Sequence, residues 1–190
     1  MITRRQLAIG GLGVGAVVGL GAWARGAADG DDSARVLLEK YGLAQLTPEQ
    51  VIDTLDADGR ARPLPLSGSV RAREVILSDG ETRASVALTG DRFYLAVMPF
   101  RSRTHECFFH DVGRCSGEYA RQAVHLTITD SSGAVLVDED AVTGANAFVG
   151  RWLPRNRTGT VTVTAEGLRG EAAFSSKDDA ATCLTTLQLV

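Results

Sequence analysis

From Pro63 onward the chain is a series of short runs in which apolar and polar residues alternate, each closed by turn residues, and few folds tolerate that rhythm. Alternation at period two sends successive side chains to opposite faces, so one face of each run can enter a core while the other stays wet. The candidate strands are residues 70–77, 83–88, 92–98, 122–129, 134–138, 160–165 and 182–189. Between them fall Ser78-Asp79-Gly80, Thr89-Gly90-Asp91, Asp130-Ser131-Ser132-Gly133 and Glu166-Gly167, all good turn chemistry. Val161 and Val163 alternate with Thr160, Thr162 and Thr164, whereas residues 93–98 are apolar on both faces and belong at the centre. The expected fold is mainly β, an antiparallel β-sandwich or partly open barrel.

Upstream the period lengthens to that of a helix. Residues 33–41 carry Val36, Leu37 and Tyr41 on one side and stop at Gly42. A second helix begins at Thr47-Pro48-Glu49-Gln50, where Thr47 can cap, Pro48 suits the first turn and Gln50 can reach back; Val51, Ile52 and Leu55 form its apolar stripe. Asp56-Ala57-Asp58-Gly59 opens like a calcium loop, but no glutamate closes it and two prolines follow, which argues against calcium. The expected organisation is a small helical region over 29–62 followed by a β-rich domain over 63–190.

Residues 1–28 have a different task. Thr3-Arg4-Arg5-Gln6-Leu7 precedes an apolar, glycine-rich run and then small residues suited to cleavage, the pattern of a twin-arginine-like bacterial signal peptide. The remainder is expected in the periplasm or another extracytoplasmic envelope space, tethered to the membrane if the signal is retained. The first 25 residues hold three arginines and no acid, so their removal takes the net charge from −3 to −3 − 3 = −6. That balance, without clustered Lys and Arg, excludes a nucleic-acid partner.

The chemistry is concentrated in Thr104-His105-Glu106-Cys107-Phe108-Phe109-His110-Asp111-Val112-Gly113-Arg114-Cys115, which holds two of three cysteines and two of three histidines. Asp111-Val112-Gly113 lies midway between Cys107 and Cys115, and a tight hairpin there would oppose the two sulfurs. Cys183 begins the last run on the parity of Thr185, Leu187 and Leu189, so it points to the core face. Two readings stay open at this point. One is a structural disulfide with a spare buried thiol, in a β-sandwich that binds another protein and no metal. Closing the shorter loop would stabilise by about 2.5 kcal/mol and the longer by about 4.5 kcal/mol. The other is a soft-ligand set for Cu(I), with two thiols able to give two electrons to Cu(II) while the third keeps the metal. Zinc accepts the same donors but usually takes paired Cys-x-x-Cys knuckles, absent here. Thioredoxin-like and hydrolase motifs are also missing. Met98 reads as core and His125 as a surface residue.

The runs Phe93-Tyr94-Leu95-Ala96-Val97-Met98-Pro99-Phe100, Thr104 to His110, Cys115-Ser116-Gly117-Glu118, Trp152-Leu153-Pro154-Arg155 and Thr182-Cys183-Leu184-Thr185-Thr186-Leu187 resemble the CueP family of periplasmic copper-resistance proteins. Seven residues separate the first two cysteines and 67 the second and third, within a likeness running from about Val36 to Val190. The resemblance implies copper bound by Cys107, Cys115 and Cys183, with His105 and His110 as auxiliary ligands. It also implies copper tolerance, reduction of Cu(II) by the thiols, and supply of copper to an exported superoxide dismutase. A homodimer belongs to the same expectation, and the thiols themselves leave open a thiol-disulfide reductant as partner and turnover as a cupric or ferric reductase.

Overall fold

The computed structural model describes residues 32–190; the signal-like segment expected over residues 1–28 lies outside the described residues. Ten strands follow Pro63: β1 (Ser67–Val70), β2 (Glu74–Ser78), β3 (Arg83–Ala87), β4 (Arg92–Val97), β5 (Ala123–Asp130), β6 (Val135–Val142), β7 (Val149–Pro154), β8 (Thr158–Ala165), β9 (Leu168–Ser175) and β10 (Cys183–Leu184). They form three sheets, ordered β1-β2-β3, β10-β4-β7 and β6-β5-β8-β9. Every pairing is antiparallel except that of β10, which runs parallel to β4 with Cys183 opposite Ala96. The mainly β fold expected from alternation is present, as open sheets rather than a closed barrel.

Several strand expectations need correction. Residues 70–77 belong to two strands, because the chain turns at residues 71–73, where the Arg71 amide donates to the Glu74 carbonyl at 2.8 Å. No Gly, Pro, Asn or Asp marks that turn, so its chemistry gave no warning. β7 and β9 were not expected at all. β7 contains Gly150 and ends on Pro154, residues tolerated at an edge, and β7 is the edge strand of its sheet. The last run, expected over 182–189, keeps only two residues of ladder plus an isolated parallel bridge between Phe100 and Gln188.

Among the described residues two helices precede the sheets. α1 spans residues 32–40 and α2 spans Pro48–Asp56. The α2 start is as its sequence suggests: the Gln50 amide donates to Thr47 Oγ1 at 3.3 Å and the Thr47 amide to Gln50 Oε1 at 2.9 Å. Its exit is held by Arg62, whose guanidinium donates to the carbonyls of Leu55 and Asp56, the helix end where a cation is favourable. In α1 the inward stripe differs from that expected. Ala34 and Leu37 are buried with Leu38 and Tyr41 packed beside them, while Val36 is 47% exposed.

The helices and the first sheet share one core, to which β4 contributes Tyr94 and Ala96, joined by Met98 just beyond the strand. The opposite face of β4 sends Phe93, Leu95 and Val97 into a second core with Leu126, Ile128, Val161 and Val163 of the four-stranded sheet. Burial of each such large apolar side chain contributes about 1.5–3 kcal/mol. β4 is therefore central, as its two-faced hydrophobicity indicates. Met98 is fully buried, and His125 is half-exposed between Asp138 and Asp140. No helix among the described residues is long and apolar enough to cross a membrane.

Candidate metal centre

The cysteine-bearing segment is irregular, and neighbouring strands hold it in place. On one side it lies along the edge of β1: the Val70 amide donates to the His110 carbonyl at 2.7 Å, and the Val112 amide to the Gly68 carbonyl at 3.0 Å. On the other side the Phe108 carbonyl accepts from the Thr182 amide at 2.9 Å and the Cys183 amide at 3.2 Å, at the start of β10. Thr182 secures the junction, accepting from the His110 amide at 3.0 Å and donating to the Val70 carbonyl at 2.7 Å. The expected turn at Asp111 exists, with the Arg114 and Cys115 amides both donating to the Asp111 carbonyl. The flanks are not paired as a hairpin; they pair with β1 and β10 instead. The turn needs Gly113, because a Cβ there would lie 2.6 Å from the Leu66 carbonyl oxygen.

This arrangement brings Cys107 Sγ to 3.5 Å from Cys115 Sγ, while Cys183 Sγ lies 3.7 Å from His110 Nδ1. All three thiols are free. The donors fall into two groups, His105 with Cys107 and Cys115, and His110 with Cys115 and Cys183. Within each group the donor atoms lie within 4.8 Å of one another. Cys115 belongs to both. Every residue singled out from sequence as a candidate ligand is thus in one of two overlapping sets.

The sulfurs differ in charge. Hydrogen bonds from Cys107 and Cys183, and then from His110, hold the Cys115 thiol far below the usual thiol range. The same contact with Cys115 pushes Cys107 up to about 12, and contact with both other cysteines together with burial pushes Cys183 well above its ordinary value. Of the three sulfurs, Cys115 is thus the one whose ionised form its neighbours favour. Burial alone would favour a neutral His110, but Asp56 and Cys115 outweigh it, and its pKa is pushed up to about 9. Metal binding at Nδ1 must then displace a proton.

Asp56 was not anticipated as part of this site. It is a buried acid at the last residue of α2, where the helix dipole disfavours negative charge. Its carboxylate accepts from His110 Nε2 at 2.8 Å, Tyr94 Oη at 2.7 Å and Asn146 Nδ2 at 2.7 Å. These three contacts hold it below the usual carboxylate range despite the opposing cost of burial. Because an ionised carboxylate only accepts, Nε2 carries the proton and Nδ1 is the nitrogen turned to the sulfurs. Asp56 thus orients His110 as outer partners orient metal-ligating histidines. Its sequence signal was faint: Asp56 stands four residues after Ile52, on the apolar stripe of α2.

A small β-rich scaffold that gathers three free thiols and two histidines has the donor chemistry of a soft-metal-binding protein. The family profile for the periplasmic copper-binding protein CueP matches residues 50–188, and the chain belongs to the CueP family. Among solved structures, a crystal structure of S.CueP superposes with a TM-score of 0.80 at 42% sequence identity, covering 83% of this chain and 98% of that one. No curated protein sequence matches this chain.

Proposed function

We propose that this is an exported copper-tolerance protein that sequesters Cu(I) through Cys107, Cys115 and Cys183, with His105 and His110 as additional ligands. The observation that carries this reading is the donor geometry: three sulfurs and two imidazoles form two sets that share Cys115. Thiolate and imidazole donors suit Cu(I). Zinc could use the same atoms, but each set offers only three donors where a structural zinc site takes four. Competition titration of reduced protein with a Cu(I) chelator tests the proposal. Binding of Cu(I), weakened by each Cys→Ser change, is expected, by at least about tenfold for Cys183→Ser, a loss of about 1.4 kcal/mol or more. Unchanged affinity in all three variants would overturn it.

The 3.5 Å approach of Cys107 and Cys115 favours an added role in reduction. Two Cu(II) ions take one electron each, the two sulfurs join as a disulfide, and the proton held by Cys107 is released. A thiol-disulfide reductant would restore the pair, and Cu(I) would pass to a copper-dependent exported enzyme. Without an added reductant, about two Cu(II) should be reduced per protein before the reaction stops. The rival reading, a disulfide-stapled interaction protein, requires oxidised cysteines and no copper in protein taken from its native compartment; thiol counting distinguishes the two.

A further inference from the structure

The two donor sets differ in access to solvent. His105, Cys107 and Cys115 are all partly exposed, and beside His105 opens a cavity of about 340 Å³ lined by Arg103, Thr104, Ser116 and Glu118. In the second set Cys115 is joined by Cys183, 3% exposed, and by His110, fully buried. The His110 ring is enclosed further by Phe148, with centroids 4.4 Å apart, and its Nε2 edge is closed by Asp56. The cavity borders only the outer set, so an ion from solvent meets it first. The inner set offers a drier position with a histidine already fixed in orientation, which lowers the cost of ordering ligands on binding.

We infer that copper is taken up in two steps, landing on His105, Cys107 and Cys115 and then moving inward to Cys115, His110 and Cys183, with Cys115 bound throughout. The inference rests on the copper reading above. A shared ligand allows the ion to exchange its other donors one at a time and never be released to water. No electron moves in this transfer; Cys183 and His110 Nδ1 each give up a proton as they become ligands, the departing Cys107 sulfur takes one up and the other passes to solvent.

Stopped-flow mixing of reduced protein with Cu(I), followed by thiolate-to-copper charge-transfer absorption, tests this order. The unaltered protein should show a first phase that accelerates with copper and a second whose rate does not depend on copper concentration. Cys183→Ser should keep the first phase, lose the second and weaken final affinity at least about tenfold. Cys107→Ser should slow the first phase by about tenfold while changing final affinity less than Cys183→Ser does. His105→Ala, on the exposed side, should slow the first phase likewise and gives the test if Cys107→Ser misfolds. A single phase in the unaltered protein, with equal losses of affinity in both cysteine variants, would overturn the two-step order and leave one undivided copper site. Failure of the unaltered protein to bind Cu(I) would instead overturn the copper reading itself.

Discussion

Asp56 is the residue on which the chemistry of the inner set depends. In Asp56→Asn, His110 loses its ionised partner while remaining buried beside a thiolate, the kind of change that costs about 3–5 kcal/mol. Chemical unfolding of the apo protein should show a loss of that order, and Cu(I) affinity should fall as well. The Cys115 and His110 pair also sets a pH profile. Raising the His110 pKa to about 9 gives stability that is complete below the unfolded value of about 6.5 and lost as pH rises through 9. Lowering the Cys115 pKa gives stability complete above its unfolded value of about 8.5 and lost as pH falls. Between about 6.5 and 9 the two slopes oppose, since folded and unfolded pairs each hold about one proton. The pair's contribution should therefore be flat over that window and decline on either side. Urea unfolding of reduced, metal-free protein across pH, compared with Cys115→Ser, measures it.

At the scale of elements, the centre depends on how α2, β4 and β7 meet. Gly150 of β7 lies beside Tyr94 of β4, and a Cβ there would run into the Tyr94 hydroxyl and come within 3.0 Å of Asp56 Oδ2. Gly150→Ala should break the bond from Tyr94 to Asp56 and destabilise by about 1–3 kcal/mol, read by thermal unfolding. Arg62 joins two elements, donating to the end of α2 and to the Val112 carbonyl beside the Cys115 turn. Arg62→Ala should cost about 1.5–3 kcal/mol and weaken copper binding with it. Helix starts and the alternating strands could be read from the sequence because their signals are local: a capping box at Thr47 to Gln50, and valines between threonines in β8. β7 and β9 escaped because glycine, proline and charges interrupt their alternation, and only their partner strands stabilise them. The turn at Asp111 was legible in the same local way, whereas its pairing with β1 and β10 depends on residues 40 or more positions away in each direction.

For the whole molecule, the site lies where the first core meets the end of the chain, and copper would act as a cross-link between the 105–115 segment and β10. Free Cu(I) at about a hundredfold over its dissociation constant should stabilise the fold by about 2.7 kcal/mol. The gain should shrink in Cys183→Ser, which calorimetry with and without copper would show. The candidate donors were legible from a dense cysteine and histidine segment, but their division into an outer and an inner set was not, because it depends on burial by Phe148 and on Asp56 from a distant helix.

The parallel pairing of β10 with β4 orders events in time as well as in space. A chain synthesised only as far as β9 already has Cys107 and Cys115, with β1 available to hold their segment, but lacks Cys183. The outer donor set can form while the protein is still being made. The inner one waits for residue 183 to return to residue 96, a contact between distant parts of the chain and so a late step in folding. On the copper reading proposed above, a copy whose β10 has not docked would hold copper only at the outer set, where it can still be taken back.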